Sequence, residues 1–343
     1  MPKTTKSLRI AINGFGRIGR AAFKIALEKK HVEIVAINDL TDPAVLAHLL
    51  KFDTVYGAYD REVKALRQSI VVDGAKIPIL VQKDPAKLPW KKMKVDVVLE
   101  CTGRFVKDGA AKAHAAAGAK RVVVSAPTKG GGAKTYLIGV NDKDYRGDAV
   151  ISNASCTTNC VGPVARVITS AFGVKRATMT TTHSYTAEQN LVDGPPPALH
   201  RDLRRARAAA QNIVPTTSGA AISTTEVIPE LKGLFDGFAL RVPTPIVSIT
   251  DFTFLTKRKT TVQAVNAAFK RAASNPSYKN VLAVTSDPVV SSDFIGDPHS
   301  AIVDLGLTNV IGGDLVKVVA WYDNEWGYAC RLVEMAELVG KTI

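Results

Sequence analysis

The sequence predicts an α/β protein in two parts. A doubly wound parallel sheet covers roughly the first 150 residues, and an α+β part with a largely antiparallel sheet follows it. Three observations carry this reading. Strand-like and helix-like apolar patterns alternate over roughly the first 150 residues. A GxGxxG run stands between the first strand and the first helix. Beyond Phe172 the texture changes to longer, Thr-rich and β-branched runs of the kind that form sheets.

Leu8-Arg9-Ile10-Ala11-Ile12-Asn13 reads as the first strand and runs directly into Gly14-Phe15-Gly16-Arg17-Ile18-Gly19. Ile18, Ala22 and Ile25 then recur at helical spacing. In this setting the glycines have separate tasks. The first allows the tight turn, the second lets the backbone approach a pyrophosphate, and the third lets helix pack on strand. A second strand, Val32 to Ile37, ends in Asn38-Asp39. An acid at this distance from the glycines accepts from an adenosine ribose and repels a 2′-phosphate, which favours NAD over NADP. A helix over Leu46 to Phe52 follows, then a hairpin made by Ile70 to Val72 and Lys76 to Val81. Val95 to Cys101 is a strand ending in Thr102-Gly103. An Ala-rich helix over Asp108 to Ala119 and a strand over Arg121 to Ser125 complete the first part.

In the second part, Ala177 to Tyr185, Phe238 to Val242, Ile246 to Leu255 and Leu315 to Tyr322 read as strands. Val262, Val265, Phe269 and Ala272 mark an amphipathic helix. Leu191 to Gln211, Pro-rich and then Arg-rich, reads as a long loop, and the chain ends in a helix to about Leu338.

The chain has 343 residues, 46% hydrophobic and 22% charged, as expected of a soluble protein of about two domains. No apolar run approaches the roughly 18 residues of a membrane helix, and Met1 to Arg9 lacks a signal-peptide pattern, so a cytoplasmic location is expected. Cys101, Cys156, Cys160 and Cys330 show neither CxxC nor Cys/His ligand spacing, so no metal site is expected. The net charge of +14 fits nucleic acid or small phosphorylated anions. Its clusters, Lys91 to Lys94, Arg201 to Arg207 and Lys257 to Lys259, have no interleaved aromatics for base stacking. Nucleic acid is therefore not expected as the primary partner.

The chemistry centres on Ser155-Cys156-Thr157-Thr158-Asn159-Cys160. This run lies between a strand end (Ala149, Val150, Ile151) and an apolar segment from Val161 to Phe172 that reads as a buried helix. A cysteine at a helix start meets free amides and a partial positive charge, which favour thiolate. A lone cysteine is most often a buried structural residue. Here the flanking hydroxyls and amide suit an anion or a developing oxyanion.

Taken with Thr182-His183-Ser184-Tyr185-Thr186, Glu100-Cys101-Thr102-Gly103, Ser125-Ala126-Pro127, Arg241-Val242-Pro243-Thr244-Pro245 and Trp321-Tyr322-Asp323-Asn324-Glu325-Trp326-Gly327-Tyr328, these motifs span nearly the whole chain. The sequence resembles the phosphorylating glyceraldehyde-3-phosphate dehydrogenases. The resemblance implies an NAD-binding Rossmann domain over 1–155, completed by the C-terminal helix over 320–343, a catalytic domain over 156–319, and a homotetramer. Its substrates would be glyceraldehyde 3-phosphate and inorganic phosphate. Cys156 would be the nucleophile and His183 its ion-pair partner and base. Thr186 and Arg241, with Arg201 as a further candidate, would bind the substrate phosphate, and Ser155, Thr157, Ser218 and Gly219 the attacking phosphate. Gly14, Phe15, Gly16, Arg17 and Ile18 would line the pyrophosphate turn. Asp39, Lys83, Thr102, Ser125, Asn324 and Tyr328 would complete the cofactor site.

The chain departs from the family pattern at Lys83, where Arg is frequent, and at Thr217-Ser218-Gly219-Ala220-Ala221-Ile222, where Ile222 replaces a Lys. The loop from Leu199 to Arg207 resembles dual-cofactor members, and Leu40 after Asp39 resembles NAD-specific ones. We side with Leu40, since an apolar group offers a 2′-phosphate no hydrogen bond. Erythrose 4-phosphate is an alternative substrate on the same scaffold.

Overall fold

The computed structural model describes residues 7–196 and 202–343. The chain divides into two compact units. One runs to Tyr136 and takes in Lys143–Ala154 and Ala329–Ile343; the other holds Leu137–Asp142 and Ser155–Tyr328.

The first unit is built on a nine-stranded sheet. Its parallel part runs Lys134–Thr135, Val150–Ser152, Arg121–Val124, Val97–Glu100, Leu8–Asn13, Val32–Asn38, Ala75–Leu80. Ser69–Val72 and Val63–Leu66 extend it antiparallel, so the predicted hairpin is an edge of this sheet. The middle strands are buried on both faces: Ile10, Ile12, Val97, Val98, Leu99 and Val122 to Val124 are all fully covered. Parallel strands of this type read as continuous apolar runs, which is why the sequence shows them clearly.

The chain leaves the first strand to one side and returns later to its other side. The carboxyl end of Leu8–Asn13 is therefore the point where the strand order reverses, the usual ligand crevice of such sheets. The helix Arg17–Leu27 starts there and buries Ala22, Phe23 and Ala26. The Ala-rich helix is shorter than its composition predicts, Lys112–Ala116. Asp108 (φ 51°) and Gly109 (φ 74°) take left-handed conformations that no helix propagates through.

The second unit carries an eight-stranded sheet whose main path is Val214–Thr217, Phe235–Val242, Val174–Ser184, Ser248–Thr256, Leu315–Tyr322, Ala301–Asp304, Leu282–Thr285. Most pairs are antiparallel, as predicted. Two are parallel, and one of them, Val174–Ser184 with Phe235–Val242, places His183 directly beside Arg241. Ser248–Thr256 alternates buried and half-buried residues along its whole length, as a strand with one core face should. The helix Cys156–Phe172 packs on this sheet. Leu315–Tyr322 belongs to the same sheet, so the chain rejoins the first unit at Ala329 and not at about 320.

Candidate active site

Cys156 is the first residue of its helix. Ser155 caps that helix: its Oγ accepts from the Thr158 N–H at 3.0 Å. Ala154, at φ 53°, turns the chain from the strand Val150–Ser152 into the helix, a left-handed conformation that a non-glycine residue adopts at a cost of about 1–3 kcal/mol. The buried Ser152 hydroxyl steadies it by accepting from the Ala154 N–H at 3.0 Å. Thr157 points inward: its Oγ1 lies 3.1 Å from the Tyr322 hydroxyl, which also reaches Thr181 Oγ1 at 2.9 Å. Cys160, one turn on, is fully buried against Thr250, and burial raises its thiol far above the ordinary range.

His183 projects from the end of Val174–Ser184, and its Nε2 lies 3.5 Å from Cys156 Sγ. The two residues predicted to act together are thus brought together. Burial dominates the electrostatics of each group. Burial pushes the Cys156 thiol up, opposed by the Arg241 charge, the Thr157 hydroxyl and the amides of Thr157 and Cys156. Burial also holds the His183 imidazole down, to about 3, with Arg241 adding to the effect. Desolvation is the first cause of both shifts.

After burial, Arg241 is the next cause that makes the imidazole side unfavourable to charge. Its Nη1 lies 2.8 Å from His183 Nδ1 and 3.1 Å from the Ser184 carbonyl oxygen. Its Nε and the Thr186 Oγ1 are buried with no hydrogen-bond partner. Two unsatisfied buried donors of this kind are costly unless something accepts from them, and an anion would satisfy both. Ser218 Oγ accepts from the Ala220 N–H at 3.2 Å, and Gly219 starts the helix Ala220–Val227 with open space above its Cα. Arg201 lies outside the described residues. In the neighbouring loop, Arg205 is buried and bonded to Glu188 and Thr216. Arg207 donates to Asp193 at 2.7 Å.

In the first unit, a cavity of about 510 Å³ opens at the carboxyl end of the first strand. Gly14, Gly16, Asp39, Lys83 and Thr102 line it, together with Asn13, Asn38, Leu40, Gln82 and Arg104. The three glycines differ in their surroundings. Gly14 has φ 93°, and a Cβ there would stand 2.8 Å from the Thr102 nitrogen. A Cβ on Gly16 would meet nothing within 4 Å, so the backbone is open to a ligand. A Cβ on Gly19 would come within 2.1 Å of the Gly14 oxygen, so only glycine lets the helix approach. No side chain caps the helix Arg17–Leu27, and its first turn has no acid. That leaves an anion-binding terminus. Asp39 is held in place by accepting from Phe15 N–H at 2.7 Å and Thr41 N–H at 2.9 Å. This donor and acceptor set fits a dinucleotide.

Two predicted contributions change in kind. Phe15 is buried and packs edge-on against Phe23, so only its backbone serves the turn. Arg17 pairs with Asp53 at 2.5 Å, so its amide, beside that of Ile18, is what the helix start offers. Ser125 follows the strand Arg121–Val124 and is hydrogen-bonded to Cys101, whose thiol burial raises. In the second unit, Asn324 is buried and its Oδ1 accepts from the Ser248 hydroxyl at 3.0 Å; Tyr328 is buried in the terminal helix.

A buried network below the cavity escaped the sequence reading. Glu100, 1% exposed, accepts from Asn13 Nδ2 (2.5 Å), from Thr102 N–H (2.8 Å) and from the Thr102 hydroxyl. His114, fully buried, takes the Trp90 indole N–H on Nδ1 (3.0 Å), so its proton is on Nε2, 2.9 Å from Glu100. Asn13 in turn accepts from Asn38 at 2.6 Å, and Asn38 accepts from Gln82 N–H at 2.9 Å. The line of hydrogen bonds fixes four of the residues that line the cavity. The acid at 100 in an otherwise apolar strand was the one available signal; nothing local links it to His114 or Trp90.

Comparison with known proteins agrees with both units. Residues 8–108 match the family model described as the NAD-binding domain of glyceraldehyde 3-phosphate dehydrogenase, and residues 155–324 match its C-terminal domain. A glyceraldehyde-3-phosphate dehydrogenase of Streptomyces coelicolor is 49% identical over 98% of this chain and 100% of its own length. Glyceraldehyde-3-phosphate dehydrogenase 2 of Synechocystis is 50% identical over 97% of this chain and 98% of its own. The chloroplastic A form of Chlamydomonas reinhardtii is 49% identical over 99% and 90%. The chain belongs to the glyceraldehyde-3-phosphate dehydrogenase family.

Proposed function

We propose that the protein catalyses the reversible NAD-dependent oxidative phosphorylation of D-glyceraldehyde 3-phosphate to an acyl phosphate. The observation that carries this reading is Cys156 Sγ at a helix start, 3.5 Å from His183 Nε2, beside the half-satisfied Arg241. Arg241 and Thr186 hold the substrate phosphate on donors that otherwise have no acceptor. The Cys156 thiolate attacks the aldehyde carbon, forming a C–S bond, and the new oxyanion takes a proton from His183. Bound NAD supplies the hydride acceptor when that thiohemiacetal is oxidised. His183 takes the hydroxyl proton as oxidation gives a thioester. Inorganic phosphate, held by Ser155, Thr157, Ser218 and Gly219, then attacks the thioester carbon. The C–S bond breaks, the acyl phosphate leaves and the thiolate returns.

The glycine turn, Ile18, Asp39, Lys83, Thr102 and Ser125 would hold the dinucleotide, and Asn324 and Tyr328 are the further cofactor residues that the family resemblance implies. A homotetramer is the proposed assembly. Leu191, Val192, Leu203, Ile213, Ile222 and Phe238 are exposed apolar side chains of the second unit, which supports contacts between copies. Among the described residues, no helix is long and apolar enough to cross a membrane, and we propose a cytoplasmic location. The test is NADH formation from glyceraldehyde 3-phosphate with phosphate titrated in. Turnover that saturates with phosphate supports the reading; turnover indifferent to phosphate rejects it.

A further inference from the structure

Three neighbouring strands of the first unit end in register on a polar residue. Asn13 is the partner of Glu100 on one side and of Asn38 on the other. Residues in register on parallel strands point to the same face of the sheet. All three are buried, and the residues just before them, Ile12, Leu99 and Ile37, are apolar and fully covered. The reaction proposed above uses none of the three. Well-packed apolar side chains are often as stable as a buried polar or charged set, so stability alone does not account for it. What a polar set adds is direction, because each donor must face an acceptor.

The direction is forced from one end. The Trp90 indole N–H only donates, so His114 accepts on Nδ1 and turns its Nε2 proton to Glu100 Oε2. A carboxylate has about four lone-pair sites and no proton to give. Donors reach both of its oxygens: His114 Nε2 and Asn13 Nδ2 on Oε2, the Thr102 N–H and hydroxyl on Oε1. Facing a group that only accepts, Asn13 has one orientation. Its Nδ2 meets Glu100, so its Oδ1 meets Asn38. Asn38 Nδ2 donates to that oxygen at 2.6 Å and to the Gln82 carbonyl at 2.9 Å. Asn38 Oδ1 is then left to accept from the Gln82 N–H at 2.9 Å. Gln82 follows the strand Ala75–Leu80, the next in the row, so the relay crosses the carboxyl ends of adjoining strands.

We propose that Glu100 is a positioning residue for the dinucleotide: its charge sets the direction of the Asn13–Asn38–Gln82 relay, and the relay holds the strand ends at the spacing the cofactor needs. Asn13, Asn38, Gln82 and Thr102 all line the cavity. Asp39 and Lys83, which line it too, directly follow two members of the relay. Reversing the Asn13 amide alone sets its Nδ2 against that of Asn38. Reversing both amides sets Asn38 Oδ1 against the Gln82 carbonyl oxygen, and its Nδ2 against the Gln82 N–H. Either fault shifts the backbone that carries Asp39 and Lys83. The inference rests on the reading that NAD occupies this cavity.

The experiment moves the charge by one residue and reads NAD binding to the full protein by calorimetry. In Glu100→Gln the new side chain keeps its oxygen on Thr102, whose backbone N–H cannot turn, and presses an amide on Asn13. Asn13→Asp alone sets two carboxylates against each other. In the double variant the new amide donates to the new carboxylate, which accepts from Asn38 as Asn13 did. It also accepts from His114 Nε2, 3.3 Å from Asn13 Nδ2 in the wild type. The relay then runs in its original direction. Each single change should weaken NAD binding by about tenfold, and the double variant should return to within about threefold of the wild type. In the folded variants, kcat at saturating NAD and the rate of Cys156 alkylation should change little. A Glu100 that only fills space predicts that the two losses add. A double variant no better than the singles, in NAD binding or in folding, would overturn the proposal, as would wild-type affinity in Glu100→Gln. Gly16→Val tests the underlying reading, since a side chain there stands in open space. It should abolish NAD binding. Binding kept by Gly16→Val would place the cofactor elsewhere, while urea midpoints of the Glu100 and Asn13 variants would still decide whether Glu100 sets the direction of the relay.

Discussion

Cofactor choice can be tested at one atom pair. Asp39 lies in the dinucleotide cavity with its two oxygens accepting from the Phe15 and Thr41 amides, so the carboxylate cannot swing aside. A 2′-phosphate within about 5 Å of it would meet roughly 3 kcal/mol of repulsion per unit charge at an effective dielectric constant near 20. Lys83 and Arg104 line the same cavity and offset part of that. A net discrimination of about 1.4 kcal/mol, tenfold in kcat/KM, is therefore the expected minimum in favour of NAD. Leu40, 55% exposed, offers no donor. The perturbation is Asp39→Asn. Asparagine can keep the bond to Phe15 N–H through its oxygen and turn its amide toward the exposed Thr41 side, so the turn is retained and the charge is lost. Kinetics with both cofactors should show kcat/KM for NADP rising about tenfold, with a smaller fall for NAD. Asp39→Gly also frees the Phe15 N–H and should lose more NAD affinity, since a hydrogen bond to a charged group is worth about 1.5–3 kcal/mol. Equal use of both cofactors by the wild type, or an unchanged ratio in Asp39→Asn, would refute this reasoning.

Iodoacetamide should label Cys156 first and abolish activity, and Cys160→Ala, which removes a thiol kept neutral by burial, should keep most turnover. His183→Asn should lower the rate by about two to four orders of magnitude in the same assay. Glu100→Gln sets an amide among donors that need an acceptor. It should cost about 1–3 kcal/mol in urea unfolding and raise the NAD KM with little change in the rate of Cys156 alkylation. A Glu100→Gln protein that binds NAD as the wild type does would show the network to be idle. The depressed His183 pKa also carries a sign for stability. Between the ordinary value of 6.5 and about 3, the unfolded chain binds a proton that the native ring refuses, so His183's share of stability is present above 6.5 and is lost as pH falls toward 3. Urea midpoints across that window should fall less in His183→Asn than in the wild type.

The legible parts of this chain are those fixed by local chemistry. Each glycine of the first turn has the environment its position implies, because the turn, the open approach and the helix contact are all made within a few residues. The Cys156 helix start was legible for the same reason, through its polar run before an apolar one. The pairing of His183 with Arg241 was not: it depends on a parallel register between strands whose intervening segment has no pattern that sets it. The inward turn of Phe15 and Thr157 depends on Phe23 and Tyr322, partners that appear only when the elements pack. The strength of burial acting on Cys156 and His183 was illegible because no motif encodes it. The Glu100 network joins residues from several strand ends and a short helix, with sequence separations that no periodicity reveals.

The central claim is that oxidation proceeds through a thioester on Cys156, and a single-turnover experiment tests it most directly. Enzyme, NAD and glyceraldehyde 3-phosphate are mixed without inorganic phosphate, NADH is followed by absorbance, and the quenched protein is digested for mass spectrometry. The account predicts a burst of at most one NADH per chain, an acyl adduct on the peptide carrying Cys156, and resumed turnover when phosphate is added. Continuous NADH formation without phosphate and without an adduct on Cys156, or a burst retained by Cys156→Ser, would contradict it.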